Sequence, residues 1–270
     1  MQEIKQIGEV QWTYDELRED IPEFLELYKK KPIKDNNGGM KSPQMFTTWF
    51  MLKKFKPENI IESGIWKGQG TWLIEETLPE ANIFSIDLNL SIREYISDKV
   101  QYFDKDFSEI DWSIIADKNN TVLFFDDHQN AFNRIKQGKE IGFKQYIFED
   151  NYPIKQGDCY SLKKAFQHAG FMPNLPKQSL KEKIKSLIRP IRYEKILPNS
   201  EDSKYLKSLL ETYYEFPPVF KKDITRWKDE WDDNFYPTPE PLFKNIEHDY
   251  LKIFEEEAIF YTWICYAKLK

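Results

Sequence analysis

The sequence is poor in the residues that build thiolate or disulfide scaffolds, with two cysteines and three histidines in 270 residues. Cys159 and Cys265 stand too far apart to form a zinc signature and are too few for a disulfide framework. No apolar run reaches the roughly 18 residues that a membrane span requires. The N-terminal stretch MQEIKQIGEVQW has no apolar signal core, so export is not indicated and a cytoplasmic location is expected. Positive charge is also short. Lys and Arg number 39 against 45 Asp and Glu, a net charge of −6, which argues against a nucleic-acid binder held by a basic surface. Internal repeats and low-complexity tracts are missing. Apolar residues make up 40% and aromatics 16%, enough to bury a sizeable core and to favour a compact chain over a disordered one.

Helical spacing of Leu17, Ile21, Phe24, Leu25 and Tyr28 predicts a helix over residues 12–31. Asp35-Asn36-Asn37-Gly38-Gly39 is a turn or loop. Ser42-Pro43 opens a second helix, with Ser42 as N-cap, that runs to about Phe55. The pattern then changes to short apolar runs at 59–61, 82–86, 100–103, 121–125 and 145–148, separated by segments long enough for helices. Such runs read as strands buried on both faces, and the alternation predicts a mostly parallel, doubly wound α/β sheet of Rossmann-like type. A helix is expected at 161–169 and another at 241–257, followed by a final strand over 259–268. Domain limits follow from this pass. Residues 1–57 are a helical segment packing on the core, and 58–173 with 211–270 form the Rossmann-like domain. Residues 174–210 are an inserted basic cap or lid.

Four of the runs finish in acids: Glu62, Asp87, Asp126 with Asp127, and Glu149 with Asp150. Ligands of open parallel sheets bind just beyond the carboxyl ends of the strands, so these acids would gather along one functional edge. Between the first strand and the helix that begins near Thr71 lie Gly64, Gly68 and Gly70. Glycine there permits a sharp turn and close approach of a ligand, and a helix N-terminus favours a carboxylate or phosphate. Ordinary strand-to-helix turns use glycine too. The loop reads G-x-x-x-G-x-G rather than the G-x-G-x-x-G of a dinucleotide site, so pyrophosphate is the weaker fit.

Glu62-x-Gly64-x-x-x-Gly68-x-Gly70 followed by Ile86-Asp87 resembles the first two motifs of class I S-adenosylmethionine-dependent methyltransferases. The likeness covers roughly residues 40–152. It implies the seven-stranded methyltransferase type of sheet and S-adenosylmethionine as cofactor. It also implies that the loop, with Glu62, Gly64, Gly68, Gly70 and Thr71, cradles the methionine part while Asp87 holds the ribose hydroxyls. Asp106-Phe107, after the run at 100–103, matches the acid position beside the adenine.

Asp126, Glu149 and Asp150 would sit on neighbouring strands about 4.8 Å apart and could share one divalent ion. Oxygen donors suit Mg²⁺, Mn²⁺ or Ca²⁺ rather than zinc, and a cation removes the repulsion among the acids. The same segments resemble a methyltransferase subgroup that uses Mg²⁺ to methylate sugar hydroxyls on antibiotics and related glycans. In that pattern Asp126 takes the first acid position, and Glu149 with Asp150 the paired one. Asp127 replaces a glycine, His128 replaces a second Asp, and Glu149 replaces an Asp. The expected chemistry is metal-assisted O-methylation, with Asp126 and His128 catalytic and His128 taking the proton. The alternative is that the acids cap helices and His128 makes a structural hydrogen bond. His168 and His248 read as structural or exposed.

Lys177, Lys181, Lys183, Lys185, Arg189, Arg192 and Lys195 give the insertion a positive charge that suits a phosphorylated, nucleotide-linked or acidic acceptor, or else simply a solvated basic helix. Trp227, Trp231, Phe235 and Tyr236 would stack on a sugar ring or pack in the core. A small-molecule or glycan acceptor is expected, with neither nucleic acid nor a membrane span, and a homo-oligomer is left open. Two other functions share the fold class. One is a nicotinamide-dependent oxidoreductase, for which Tyr160 and Lys164 have the right spacing but no established serine partner. The other is a non-catalytic binding protein.

Overall fold

The structure, a computed structural model, describes residues 6–169, 199–234 and 236–270. In chain order the elements are β1 (Gln6–Ile7), α1 (Tyr14–Tyr28), α2 (Ser42–Phe55), β2 (Asn59–Ser63), α3 (Gln69–Thr77), β3 (Asn82–Ile86), β4 (Val100–Phe103), β5 (Thr121–Phe125), α4 (Ala131–Ile141), β6 (Gln145–Phe148), α5 (Leu162–Phe166), β7 (Leu210–Glu215) and β8 (Cys265–Leu269). Further helices run Glu201–Leu209 and Lys252–Glu257.

All eight strands form one sheet in the order β1-β7-β8-β6-β5-β2-β3-β4. Strands β2 to β6 are parallel to their neighbours among themselves, while β8 runs antiparallel between β6 and β7. This is the mostly parallel, doubly wound Rossmann-like architecture that the sequence implies, with β1 added antiparallel at one edge. Strand order reverses between β2 and β5, the place where such sheets open a crevice at their carboxyl ends.

Each central strand alternates its side chains between two apolar layers. Ile60, Val122, Phe124 and Ile147 join the layer covered by α1, α2 and α3. Ile61, Leu123, Phe125, Tyr146 and Phe148 join the opposite layer with α4, α5 and the Glu201–Leu209 helix. Period-two alternation with both faces dry is what makes the strands read as unbroken apolar runs.

Several boundaries differ from expectation. Lys41, not Ser42, occupies the N-cap of α2, and Ser42 lies in the first turn, where its N–H donates to Glu257 Oε2 at 2.7 Å. A carboxylate from a distant segment thus satisfies a free helix N–H. The helix expected over 241–257 shrinks to Lys252–Glu257. Upstream, Leu242 and Phe243 instead donate backbone bonds to Pro218 and Val219, in a stretch where Pro237, Pro239 and Pro241 remove donors. The last strand starts at Cys265, after a short turn at Ala258–Phe260 and a left-handed Trp263 at φ 57°.

Residues 199–210 of the expected cap belong to the core, since the helix Glu201–Leu209 buries Leu206 and β7 begins at Leu210. The basic cluster from Lys177 to Lys195, and Phe235, lie outside the described residues. Among the described residues no helix is long and apolar enough to cross a membrane.

Candidate active site at the carboxyl edge of the sheet

A cleft of about 430 Å³ opens at the reversal point between β2 and β5. Its lining joins Ser63, Gly64 and Trp66 of the first loop to Asp87 and Leu88 after β3, Asp106 after β4, and Asp126, Asp127 and His128 after β5. Gly38 and Gly39 close one side. Asp87, Asp126 and Asp127 therefore meet in one cavity together with Asp106, whereas Glu62, Glu149 and Asp150, also expected at this edge, are not part of its lining.

The first loop is held from within. Asp87 Oδ2 accepts the N–H groups of Ile65 at 3.0 Å and Trp66 at 3.1 Å, and Oδ1 accepts that of Asn89 at 2.9 Å. Three backbone donors thus make Asp87 the tether of this loop. Gly64 has φ 98°, and a Cβ there would stand 2.1 Å from the backbone oxygen of Asp126. Only glycine lets the ends of β2 and β5 come so close. Gly68, at φ 95°, faces the backbone oxygen of Tyr95 at a Cβ distance of 2.7 Å, so it serves packing of the 93–95 segment and not the cleft.

Glu62 does not reach the edge. It lies inside β2, fully buried, where Oε2 accepts from Thr71 at 2.6 Å and Ser85 at 2.7 Å. Gly70 sits against its Oε1, which has no hydrogen-bond partner. Burial pushes the Glu62 carboxyl up to about 7. Phe107 is packed between Trp112 and Phe125 with no exposure. Glu62, Gly70, Thr71 and Phe107 thus do not line the cleft.

Asp106 lines the cleft but is already occupied. Arg134, 4% exposed on α4, grips it with Nη1 at 3.0 Å and Nη2 at 2.6 Å. The same guanidinium donates its Nε–H to Asp127 Oδ2 at 3.0 Å, and Ser63 Oγ donates to that oxygen at 2.8 Å. The hydrogen bond from Arg134 holds the Asp106 carboxyl far below its usual range. Sequence reasoning missed Arg134. The signal was a cation among the apolar positions Ala131, Phe132 and Ile135 of one helix. It also took Gly38-Gly39 for a plain turn. Trp66 shows what that turn is for: its indole stacks near Gly38, its Nε1 donates to Asn37 O at 3.0 Å, and the ring remains 45% exposed over the cleft.

At the other end of the cleft, donor atoms of Asp126, His128 and Asp150 all lie within 4.8 Å of one another. Glu149 is not among them. His128 adopts φ 52°, and its Nδ1 lies 2.8 Å from Asp150 Oδ2 and 3.0 Å from Asp158 Oδ1. His128 thus bridges the buried Asp150 and the exposed Asp158, with an acid on either side of one ring nitrogen. Hydrogen-bonding contact with Asp150, then with Asp158, pushes the His128 pKa up to about 12. Burial, then the charge of Asp150, raises Asp126 well above the carboxylate range, and burial raises Glu149 in the same way. A protonated imidazole has no lone pair to receive a proton, so the role of base expected for His128 does not fit this arrangement.

Other expected residues turn inward or stay outside. Tyr160 OH lies 2.7 Å from Ala169 O and 2.8 Å from Asp202 Oδ2, and Lys164 Nζ donates to Cys159 O at 2.8 Å. That pair faces the core and not a nicotinamide. Trp231 stacks on Trp263 and Tyr261 as packing. His168 and His248 do not line the cleft.

No family model matches the sequence, and no curated protein matches it. Among solved structures, it is similar to CmcI carrying Mg and SAM, at 21% identity and a TM-score of 0.33 over 44% of this chain and 58% of that one. It is also similar to CmcI with SAH, at 18% identity and 0.36 over 42% and 62%. The O-methyltransferase from Bacillus cereus in complex with SAH follows, at 14% identity and 0.36 over 52% and 69%. The matched region spans less than two thirds of CmcI. TM-scores this low carry no weight for function, which has to be argued from the cleft itself.

Proposed function

We propose that this chain is an S-adenosylmethionine-dependent methyltransferase acting on a hydroxyl of a small-molecule or glycan acceptor, with a divalent cation at the acidic edge. The observation that carries this reading is that the Gly64–Asp87 end and the Asp126–His128 end line one cleft. A cofactor held at one end and an acceptor at the other would be a few ångströms apart, which is the positioning that group transfer needs.

Trp66, Leu88 and Ile92 offer apolar surface on the cleft wall, suited to a nucleoside base. Asp87, which lines the cleft while its carboxylate tethers the loop, would accept the ribose hydroxyls. Asp106 contributes shape more than a hydrogen bond, because Arg134 holds both of its oxygens. Asp126 and Asp150 fit a cation: both are acids at adjoining strand ends, their oxygens lie close together, and Asp150 is buried while Asp126 opens on the cleft. Bound there, a cation would lower the pKa of an acceptor hydroxyl and the cofactor would offer an electrophilic methyl group.

Calorimetry with S-adenosylhomocysteine, with and without Mg²⁺, tests the reading. Micromolar binding that weakens about tenfold or more in Asp87→Asn supports it, since loss of that carboxylate removes both the loop tether and the hydroxyl acceptor. Absence of binding under every metal condition sinks it.

A further inference from the structure

Resting on the proposed cofactor cleft, we infer that Glu62 makes the site tell cationic S-adenosylmethionine from its neutral product. The buried carboxyl releases its proton to solvent when S-adenosylmethionine binds and keeps it when S-adenosylhomocysteine binds. Glu62 is thus a specificity-determining residue that acts through charge, without lining the cleft. The geometry puts an uncommitted acid one residue from that lining. β2 lies between β3 and β5, and Ser63 and Gly64, the next two residues of the chain, line the cleft. Glu62 has no exposure. Its Oε2 accepts from Thr71 Oγ1 of α3 at 2.6 Å and from Ser85 Oγ of β3 at 2.7 Å. Its Oε1 has no hydrogen-bond partner, and a Cβ on Gly70 would stand 2.5 Å from that oxygen and 3.1 Å from Met40 Cε. A buried oxygen without a donor is tolerable on a neutral carboxyl and costly on a carboxylate.

The charges that act on Glu62 are of one sign. Asp87 after β3 and Asp126 after β5 are coupled to it by like-charge repulsion. Tyr102 on β4 is the other titratable group that feels its charge, while α3 presents only Gly70 and Thr71. Asp87 and Asp126 line the cleft, so a charge in the cleft is felt at Glu62. Burial holds the carboxyl at about 7, where both of its forms are populated and a neighbouring charge decides between them. The sulfonium of S-adenosylmethionine brings a positive charge that methyl transfer removes. An ionised Glu62 is stabilised by that charge and, once it is gone, faces only acids. Below the folded value the free protein must lose the proton to gain this attraction, and above it the attraction comes without that loss. Preference for the cationic cofactor therefore rises with pH.

The test titrates the full-length protein and Glu62→Gln with S-adenosylmethionine and with S-adenosylhomocysteine, by calorimetry in buffers of unlike ionisation enthalpy. The variant's amide oxygen still accepts from Thr71 and Ser85 but cannot ionise, and ionisation of the ligands themselves is common to both proteins. Relative to Glu62→Gln, the wild-type preference for S-adenosylmethionine should rise about tenfold from about pH 5 to about pH 9, the change that one unit of pKa displacement gives. At about pH 6.5 S-adenosylmethionine should release roughly half a proton more than S-adenosylhomocysteine, and the variant should not. Ser85→Ala removes a bond that favours the carboxylate and should move the midpoint of the rise to higher pH, so it decides the matter if Glu62→Gln fails to fold. An equal pH course in wild type and Glu62→Gln, or a midpoint unmoved by Ser85→Ala, overturns the inference. The methyltransferase reading then stands, because both ligands still bind, and the cleft acid Asp126 carries any pH dependence. Failure of both ligands to bind at every pH overturns the proposed function and this inference with it.

Discussion

The two ends of the cleft are built on opposite principles. At the loop end nearly every polar group has an internal partner: Asp87 takes three backbone N–H groups, and Arg134 ties Asp106 to Asp127. At the acidic end Asp126, Glu149 and Asp150 crowd together with His128 as the cation among them. One half is finished by folding. The other is left short of positive charge, the state in which buried acids raise one another's pKa. Removing a group that clamps the loop end should therefore destabilise the fold, whereas removing a carboxylate that burial or crowding disfavours should stabilise it.

The largest effect should come from Gly64→Ala. The added Cβ would overlap the Asp126 backbone at 2.1 Å, and the residue would keep a φ of 98°. A cost of about 3–5 kcal/mol in urea unfolding is expected, at the top of the range for single substitutions. A loss below about 1 kcal/mol would mean that β2 and β5 are not clamped at this point. Next is Arg134→Met, which strands two acids beside a buried apolar side chain and should cost about 3 kcal/mol. Its pH signature can be worked out. Asp106 has a folded-state pKa lowered by Arg134, so its contribution is present above the unfolded value near 4 and is lost as pH falls toward the folded one. Acid unfolding of the variant should lack that component, and an unaltered acid profile would contradict the ion pair.

How much of this was open to sequence reading follows from the forces involved. Strands β2, β3, β5 and β6 were legible because dry faces on both sides force continuous apolar runs. Which layer each residue joins was not, since both layers are equally apolar. The loop end was legible by motif, but the motif could not separate Gly64, which lines the cleft, from Gly70, which backs Glu62. Glu62 itself was misplaced by one pleat: it closes an apolar run yet faces α3 from inside the strand. Asp158 lies 30 residues from His128, and only folding discloses that the histidine keeps its proton. Pairings over such distances leave no local pattern.

Two substitutions of a carboxylate should stabilise the protein, one at each end. Glu62 has a folded pKa raised by burial to about 7, above the ordinary carboxylate value of 4.5. The folded state holds a proton that the unfolded state has released, so stability falls as pH rises from 4.5 to 7 and stays low above it. Glu62→Gln should gain about 2 kcal/mol at pH 8 and little near pH 4.5. At the acidic end Asp126→Asn should gain about 1 kcal/mol in the absence of metal by removing like-charge repulsion, while abolishing transfer, a trade of stability against function. Thermal unfolding in chelator decides it, and a lower melting temperature would show that Asp126 is already satisfied.

Trp66→Ala should have the smallest effect on folding and a clear one on binding, which makes it the sharpest comparison with Gly64. The indole is 45% exposed and contributes one hydrogen bond to Asn37, so unfolding should change by no more than about 0.5 kcal/mol. Yet the ring forms the apolar wall of the cleft beside Leu88, and covering it with a nucleoside base would remove that surface from water. Burial of part of an aromatic face is worth about 1–2 kcal/mol, so S-adenosylhomocysteine should bind roughly tenfold more weakly. The left-handed turn at Trp66, φ 50°, seats the indole against Gly38 and the Asn37 carbonyl and still leaves it 45% exposed at the cleft. If the variant binds as well as wild type, the base must lie elsewhere in the cleft, and Asp87 loses its place as the ribose acceptor with it.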